Sequence, residues 1–172
     1  MPKAYQLGVT EREVVEPTCL TACGPIRATN DVPSAADVNA ITADPVTADV
    51  STDESLSAAT YGDLATAGPA VTLSLVNGQT CLVCVQYQQT AASGAGTNAL
   101  MSFAVSGAGT LAAADVNAAI MSAGVGEQRG TERWTVFTAG ATGSFTFTAK
   151  YRSGMAATTV HFVNRRILAK KF

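Results

Sequence analysis

The feature that most constrains the fold is a run of strictly alternating side chains, SFTFTAKYR, at positions 144–152. Successive side chains of an extended strand point to opposite faces, so Phe145, Phe147, Ala149 and Tyr151 share one face. Threonine, lysine and arginine fill the other face. A strand with one apolar and one polar face is typical of an antiparallel sheet that covers a core.

Two further patterns predict hairpins. Residues 71–76 and 79–88 are rich in strand formers and flank Asn77-Gly78, a pair that accepts the positive φ angles of a type I′ turn. The segment ERWTVFT, at 132–138, is joined to the alternating strand by the loop AGATG. We therefore predict that each of these two pairs of strands lies side by side in a sheet.

The remaining pattern after residue 60 predicts two more strands and one helix. Residues 99–106 and 158–168 alternate as strands do, whereas Val116, Ala119, Ile120 and Ala123 recur at helical spacing. We expect a mainly β fold, an antiparallel β-sandwich of jelly-roll type with one short helix.

Residues 1–60 differ from the rest and predict an extended N-terminal arm, which leaves residues 61–172 as the β-sandwich domain. Prolines at 2, 17, 25, 33 and 45 interrupt the arm, and no apolar periodicity persists in it. The acidic run at 43–57 resembles an extended connector. Such an arm gains order by lying on a partner. Its expected apolar anchors are Val9, Val14, Val15, Leu20 and Ile26.

Charge is scarce and unevenly distributed. Only 14% of the residues are charged, well below the usual quarter. Residues 1–63 carry ten acidic and three basic side chains, a net −7, and residues 64–172 carry three acidic and eight basic ones, a net +5. This asymmetry either lets the front of one copy meet the back of another or reflects solvated faces without a partner.

The N-terminal sequence has neither the apolar core of a secretory signal nor a membrane-spanning run. We therefore expect synthesis in the cytoplasm.

The C-terminal sequence NRRILAKKF is the best candidate for a charged contact. Arg165, Arg166, Lys170 and Lys171 could each neutralise a phosphate, but four charges without a base-stacking platform are weak support for nucleic-acid binding. We expect these four residues to contact an acidic arm or an acidic neighbouring protein instead.

The four cysteines occur as Cys19-x3-Cys23 and Cys81-x2-Cys84, a count that raises the question of zinc. A zinc-binding pair sits on a turn that brings both sulfurs together, whereas Cys81 and Cys84 lie within a predicted strand and point to opposite faces. We therefore predict buried reduced thiols and no metal site. A Cys19–Cys23 disulfide stays open as an alternative.

The sequence offers no pattern typical of an active site. His161, the single histidine, lies between two apolar residues of a predicted strand, and no nucleophile elbow or phosphate-binding loop accompanies it. Glu127, Arg129, Glu132 and Arg133 form a charge cluster typical of a solvated loop or of ion pairs between subunits. We expect no enzyme activity, no catalytic residues and no cofactor.

The stretch from Glu132 to Arg152, with W-x-V-F-T, a glycine-containing turn and S-F-T-F-T-A-K-Y-R, resembles the paired strands of jelly-roll modules in trimeric TNF/C1q-like proteins. Residues 65–172 are also similar to small bacteriophage virion proteins, above all capsid decoration (cement) proteins.

The resemblance to cement proteins implies a virion structural protein on the capsid surface. It implies a homotrimer whose core organises copies of itself while the arms contact the major capsid protein. The alternative is a receptor- or glycan-binding head module of a phage fibre or spike. That function needs exposed aromatic side chains, and Trp134 and the tyrosines are the available ones.

Overall fold

The computed structural model describes residues 44–89, 97–122 and 127–172, which belong to one compact unit. Within these ranges lie nine strands and one turn of 3-10 helix, Asp115–Asn117. The strands are β1 Val46–Val50, β2 Glu54–Leu56, β3 Ala70–Leu75, β4 Thr80–Gln89, β5 Asn98–Gly107, β6 Ala119–Ser122, β7 Arg129–Thr138, β8 Gly143–Ser153 and β9 Val160–Lys171.

The described strands form two antiparallel sheets packed face to face. The first sheet has the order β1-β9-β4-β7, and β2 also pairs with β9; the second sheet has the order β3-β8-β5-β6. β1 and β2 follow one another along β9, interrupted near Asn164, where φ is +49° and the β4–β9 register shifts. If β1 and β2 are counted as one interrupted strand, successive strands alternate between the sheets except β5 and β6, which are neighbours in the second sheet, and this is the order of a jelly roll. The predicted fold class is confirmed.

The core fills the space between the two inner faces. Phe162 lies between Tyr87 and Tyr151, with both ring centroids 5.0 Å from its own. All three side chains are fully buried. The Tyr87 hydroxyl donates to the carbonyl oxygen of Ala99 at 2.5 Å, and the Tyr151 hydroxyl donates to that of Gly68 at 2.6 Å. These aromatic rings fill the core while their polar ends stay hydrogen-bonded.

The two predicted hairpins are wrong in their pairing, although the strands themselves are where we expected them. β3 pairs with β8 in the second sheet, whereas β4 pairs with β7 and β9 in the first. A tight turn does form at Asn77-Gly78, where the Gln79 amide donates to the Val76 carbonyl at 2.9 Å. It is not the predicted type I′ turn, because Gly78 has a positive φ, of +80°, and Asn77 does not. It connects the two sheets instead of joining neighbours in one sheet. The 139–142 loop connects β7 to β8 across the sandwich in the same way.

The physical reason lies in which faces of the strands are apolar. A tight hairpin would place Leu73 on the same side as Leu82, leaving Val83 and Val85 on the side of Ser74. In the structure Val83 and Val85 have no exposed surface, Leu73 is buried, and Ser74 faces solvent. A connection that crosses between sheets lets both apolar faces point into one core. Burial therefore decides the pairing.

The predicted helix over 111–123 is also largely wrong. Its described part, residues 111–122, contains a β-bridge from Leu111 to Val105, the short 3-10 turn and then β6. In β6 the buried residues are Ala119 and Met121, while Ile120 is 47% exposed. This two-residue alternation pairs with β5 and outweighs the helical spacing of the same apolar residues.

The segment 43–57, which we expected to be a connector, contains β1 and β2, so residues 46–56 belong to the sandwich. The arm prediction for residues 1–43 and its five apolar anchors concern residues outside those that the structure describes. The error at 43–57 has an electrostatic cause: the acidic side chains that make this run look disordered meet basic side chains of later strands.

Opposite charges from the front and back of the sequence meet within one copy. Arg166 contacts Asp49 at 2.5 Å and Lys150 contacts Asp63 at 2.8 Å. These pairs are at least partly exposed, so each contributes little stability by itself. They nevertheless show that part of the charge asymmetry is satisfied inside the molecule.

The pair between Arg165 and Glu54 is different because it is buried. The Arg165 side chain has no exposed surface and that of Glu54 is 11% exposed, with Nη1 and Oε2 3.1 Å apart. The guanidinium also lies 5.5 Å from the centre of the Tyr151 ring. Both Glu54 oxygens accept the Thr66 amide at 3.1 Å. This pair connects β2 and the 57–69 segment to β9.

The same pair predicts a pH dependence of stability. Burial by itself raises the pKa of Glu54, but the hydrogen bonds from Thr66 and the positive charge of Arg165 outweigh it, so the pKa lies below the ordinary value of 4.5. A carboxyl with a lowered pKa in the folded state stabilises above its unfolded pKa, and that contribution is lost as the pH falls.

We expect Glu54→Gln to cost roughly 1.5–3 kcal/mol at pH 7, as for a hydrogen bond between charged groups. The cost should shrink below about pH 4. Denaturant unfolding of the wild type and of Glu54→Gln at pH 7 and pH 3 measures this cost, because the two proteins share every other carboxyl group. An equal cost at both pH values would contradict the role given to the Glu54 charge.

Candidate functional site on the outer face of the first sheet

An apolar cluster lies on the outer face of the first sheet. Residues opposite one another in antiparallel strands point to the same side, and Cys84 lies opposite both Leu168 of β9 and Trp134 of β7. In the next row Leu82 lies opposite Val136. We call these five residues, Leu82, Cys84, Trp134, Val136 and Leu168, the Trp134 face.

Part of the Trp134 face is open to solvent. Trp134 is 45% exposed and Val136 is 64% exposed, while Leu82 and Leu168 are partly buried. The outward positions of a solvated sheet are usually polar. A contiguous exposed apolar cluster that contains the chain's single tryptophan is the kind of surface that marks an interaction site.

A polar row borders the apolar cluster on one side. Asp49, Arg166, Gln86 and Glu132 lie opposite one another across the four strands of the first sheet. The Trp134 indole Nε1–H donates to Glu132 Oε1 at 3.1 Å, which fixes the ring beside a carboxylate. A shallow pocket of about 310 Å³ opens beside Asp49, Gln86 and Arg166. The face thus combines an apolar centre with a charged rim, an arrangement common in protein interfaces.

The thiol within this face is inert at neutral pH. Burial raises the pKa of Cys84 to about 11, the negative charge of Glu132 adds to the rise, and Arg166 opposes it. Burial also raises the pKa of Cys81, on the inner face, to about 11. Cys81 and Cys84 are buried free thiols that act as small apolar side chains, which confirms that part of the prediction. Cys19 and Cys23 lie outside the described residues.

β7 itself is an exposed edge. Most of its ten residues face solvent, and among the described strands none pairs with the side of β7 turned away from β4. β7 contains neither proline nor lysine, two residues that commonly protect sheet edges. Arg133, on the side of the core, donates from Nη2 to the Val116 carbonyl at 3.2 Å.

The predicted basic contact residues do not form one surface. Arg165 and Arg166 contact Glu54 and Asp49, two acidic residues of the segment that we predicted to be the arm, so the contact with an acidic arm is confirmed for these two residues. Arg165 is fully buried, however, so it is not available to a neighbouring protein. Its burial follows from the irregular register of β9 near Asn164, which turns Arg165 inward. Lys170 lies beside Leu82. For Lys170 and Lys171 the contact stays a prediction.

The charge cluster predicted from the sequence is divided between two sides of the sheet. Its members are Glu127, Arg129, Glu132 and Arg133. Glu132 points outward beside Trp134, whereas Arg133 points toward β6 and the 3-10 turn. Arg129 and Glu127 contact one another at 3.0 Å with both side chains largely exposed. Of the aromatic residues considered for glycan binding, Tyr87 and Tyr151 are buried, whereas Trp134 and part of Tyr61 reach the surface.

A groove of about 630 Å³ crosses the outer face of the second sheet, a feature that our sequence reasoning missed. The Tyr61 hydroxyl donates to Asp115 Oδ1 at 2.9 Å, and Arg152 binds both oxygens of the same carboxylate. The hydrogen bond from Arg152 is the main reason that the pKa of Asp115 is lowered. Alanines 104, 112, 113 and 114 also line the groove. No local signal could reveal it, because Tyr61, Asp115 and Arg152 are far apart in sequence.

The described residues contain neither a group of three or more histidine, cysteine, aspartate or glutamate side chains placed to hold a metal ion nor a helix with the length and apolarity to cross a bilayer.

Comparisons with known proteins give fold-level likeness only. No protein-family model matches the chain, and no curated protein matches it. Among solved structures, an Eiger TNF from S. frugiperda is 9% identical with a TM-score of 0.40, over 70% of this chain and 91% of that one.

The CBM22-1 xylan-binding domain from Paenibacillus barcinonensis Xyn10C is 15% identical with a TM-score of 0.30, over 61% of this chain and 65% of that one. Dimeric latent PorU from Porphyromonas gingivalis is 16% identical with a TM-score of 0.33, over 69% of this chain and 12% of that one.

Proposed function

We propose that this chain is a virion structural protein, a capsid decoration protein that acts by contact and not by catalysis. In this proposal the sandwich binds further copies of itself, and residues 1–43 bind the major capsid protein at the capsid surface. The observation that carries the proposal is the Trp134 face, where Trp134 and Val136 are 45% and 64% exposed on a regular sheet. Exposed apolar clusters of this kind are typical of protein contacts.

The composition supports the same proposal. A chain with 14% charged residues has few of the side chains that keep isolated proteins apart in solution. Such a surface suits a protein whose surface is mostly covered by binding partners. A decoration protein would stabilise a shell by binding across joints between subunits, since any ligand that binds only the assembled state favours it. Many weak contacts in one assembly become effectively permanent through multivalency.

The proposal is tested by sedimenting the purified protein with shells of the parent phage that lack it. We expect the wild-type chain to sediment with the shells. A variant with serine at Val9, Val14, Val15, Leu20 and Ile26 should lose at least about 90% of the bound protein, because these residues supply the apolar anchors of the arm.

Val116→Ser is the control, since Val116 is 70% exposed and lies outside both the arm and the Trp134 face. It should bind as the wild type does. If the wild-type chain stays in the supernatant, or if the serine variant binds equally well, the proposal fails.

A glycan-binding head module is the second candidate, and Trp134 favours it. Its ring is half exposed and is held beside Glu132 and Gln86, so an aromatic surface lies next to groups that can hydrogen-bond hydroxyls. A glycan array probed with the wild type and with Trp134→Ala tests this candidate. A signal that Trp134→Ala abolishes would favour a glycan-binding module over decoration.

A further inference from the structure

We infer that two copies of this chain join through β7, edge to edge, so that the first sheets of both copies form one continuous sheet with Trp134 at the two-fold axis. This inference deepens the proposed function, on which it rests, by naming the surface through which the sandwich binds a further copy. It also replaces the trimer implied by the resemblance with a two-fold contact as the primary unit.

The backbone of β7 is suited to strand addition. Ten residues of regular strand present one side to β4, and among the described strands none occupies the other side. An edge that long exposes a row of backbone donors and acceptors, which natural proteins normally block with charged side chains, proline or a short strand. β7 is long and has no proline, and its charged residues, Arg129, Glu132 and Arg133, are confined to its first half. A second β7 supplies matching backbone groups, because an antiparallel pair of identical strands is related by a two-fold axis.

The order of charges along β7 suits pairing with itself. The charged residues Arg129, Glu132 and Arg133 lie in its first half, whereas its second half, from Thr135 to Thr138, is uncharged. Antiparallel pairing about Trp134 places the charged half of each strand opposite the uncharged half of the other. Glu132 then lies opposite Val136 and Arg133 opposite Thr135, so no like charges face one another.

The same register joins the two Trp134 faces. Opposite residues in antiparallel strands have Cβ atoms roughly 4.5–5.5 Å apart, so the two indoles meet at the axis. The row of Leu168, Cys84 and Trp134 in one copy continues into the same row of the other. The two most exposed apolar side chains of the face, Trp134 and Val136, are thereby covered on the flank that meets the second copy, which removes part of their surface from water.

The register makes opposite predictions for two substitutions at one position. Val136→Glu places a carboxylate opposite Glu132 of the second copy, whereas Val136→Lys places an ammonium group there. Both side chains are polar and about equally long, and within one copy the row of position 136 continues through Leu82 to Lys170, which favours Glu over Lys. Pairing with a second copy in this register reverses that order, because Glu132 of the second copy then lies opposite position 136.

The experiment uses the full purified chain and measures mass by sedimentation and Trp134 emission over a wide range of concentrations. Trp134 is the single tryptophan, so its emission reports this face alone. We expect the mass to rise from one copy to two, with a shift of the emission to shorter wavelength over the same range. Val136→Glu should raise the midpoint concentration at least about 10-fold, and Val136→Lys should change it by less than about 3-fold.

Val46→Glu is the matched control, because Val46 is 40% exposed and lies in β1, at the opposite edge of the first sheet from β7. It should leave the midpoint unchanged. A mass of one copy at all concentrations would overturn the inference. If Trp134 then emitted as a buried indole, residues 1–43 of the same chain would be its cover. A trimer that Val136→Glu does not weaken, or equal effects of Val136→Glu and Val136→Lys, would also overturn it.

The measurement of mass and Trp134 emission is independent of the shell-binding test, because it contains no shells. A dimer that does not bind shells would leave the contact through β7 standing and remove the decoration function. A monomer that binds shells would support the decoration function and remove the contact through β7.

Discussion

Replacing Arg165 with alanine is expected to lower the free energy of unfolding by about 3–5 kcal/mol, the usual cost of removing one member of a buried ion pair. Arg165 has no exposed surface, contacts Glu54 at 3.1 Å and lies against the Tyr151 ring. The substitution leaves the Glu54 carboxylate without its counter-charge and opens a cavity beside an aromatic side chain. Because domains of this size are stable by about 5–15 kcal/mol, the loss should be plain in a denaturant titration.

Arg166→Ala provides a control one residue away. Arg166 also forms an ion pair, with Asp49, but both of its members are about half exposed. An exposed pair contributes little, so this variant should unfold close to the wild type. Equal losses in the two variants would contradict the distinction between the buried and the exposed pair.

Replacing Gly107 with alanine is expected to cost about 2–5 kcal/mol, combining backbone strain with a steric clash. Gly107 ends β5 with φ of +101°, in the region that favours glycine. A Cβ atom built there lies 2.3 Å from the backbone oxygen of Ser144. That oxygen accepts the Ala108 amide at 2.9 Å, so it cannot move without loss of a hydrogen bond.

Gly140→Ala is the matched control, since nothing lies within 4 Å of the added Cβ. We expect its free energy of unfolding to change by less than about 1 kcal/mol. Urea unfolding of both variants measures the difference. A loss of less than about 1 kcal/mol for Gly107→Ala would show that the end of β5 adjusts freely and that its close contact with β8 is not required.

The strands of the sandwich and their buried faces could be predicted from local patterns. Phe145, Phe147, Ala149 and Tyr151 all point into the core, as their alternation indicates. The pairing of the strands could not be predicted in the same way. Asn77-Gly78 forms a tight turn, although not of the expected type, and a turn fixes the course of only a few residues. The choice between a neighbour in one sheet and a crossing between sheets depends on where two apolar faces can be buried together.

Features that depend on contacts between residues distant in sequence could not be predicted either. Glu54 and Arg165 are 111 residues apart, so one looked like part of an acidic connector and the other like part of a basic surface. Their meeting brings β2 into the sandwich and removes Arg165 from the surface. Trp134 presents the converse case, because its apolar character suggests burial. Its position on the outer side of an edge strand, which exposes it, becomes visible only when the sheet order is known.

The most direct test of the proposed decoration function is the temperature at which phage shells that lack this chain rupture, measured with and without the purified chain. A protein that clamps shell joints must stabilise the assembled state, so we predict a rise of at least several degrees that saturates as the sites fill. The Val136→Glu variant should give a smaller rise, because it weakens the contact between copies. An unchanged rupture temperature, with the protein bound or unbound, would contradict the account.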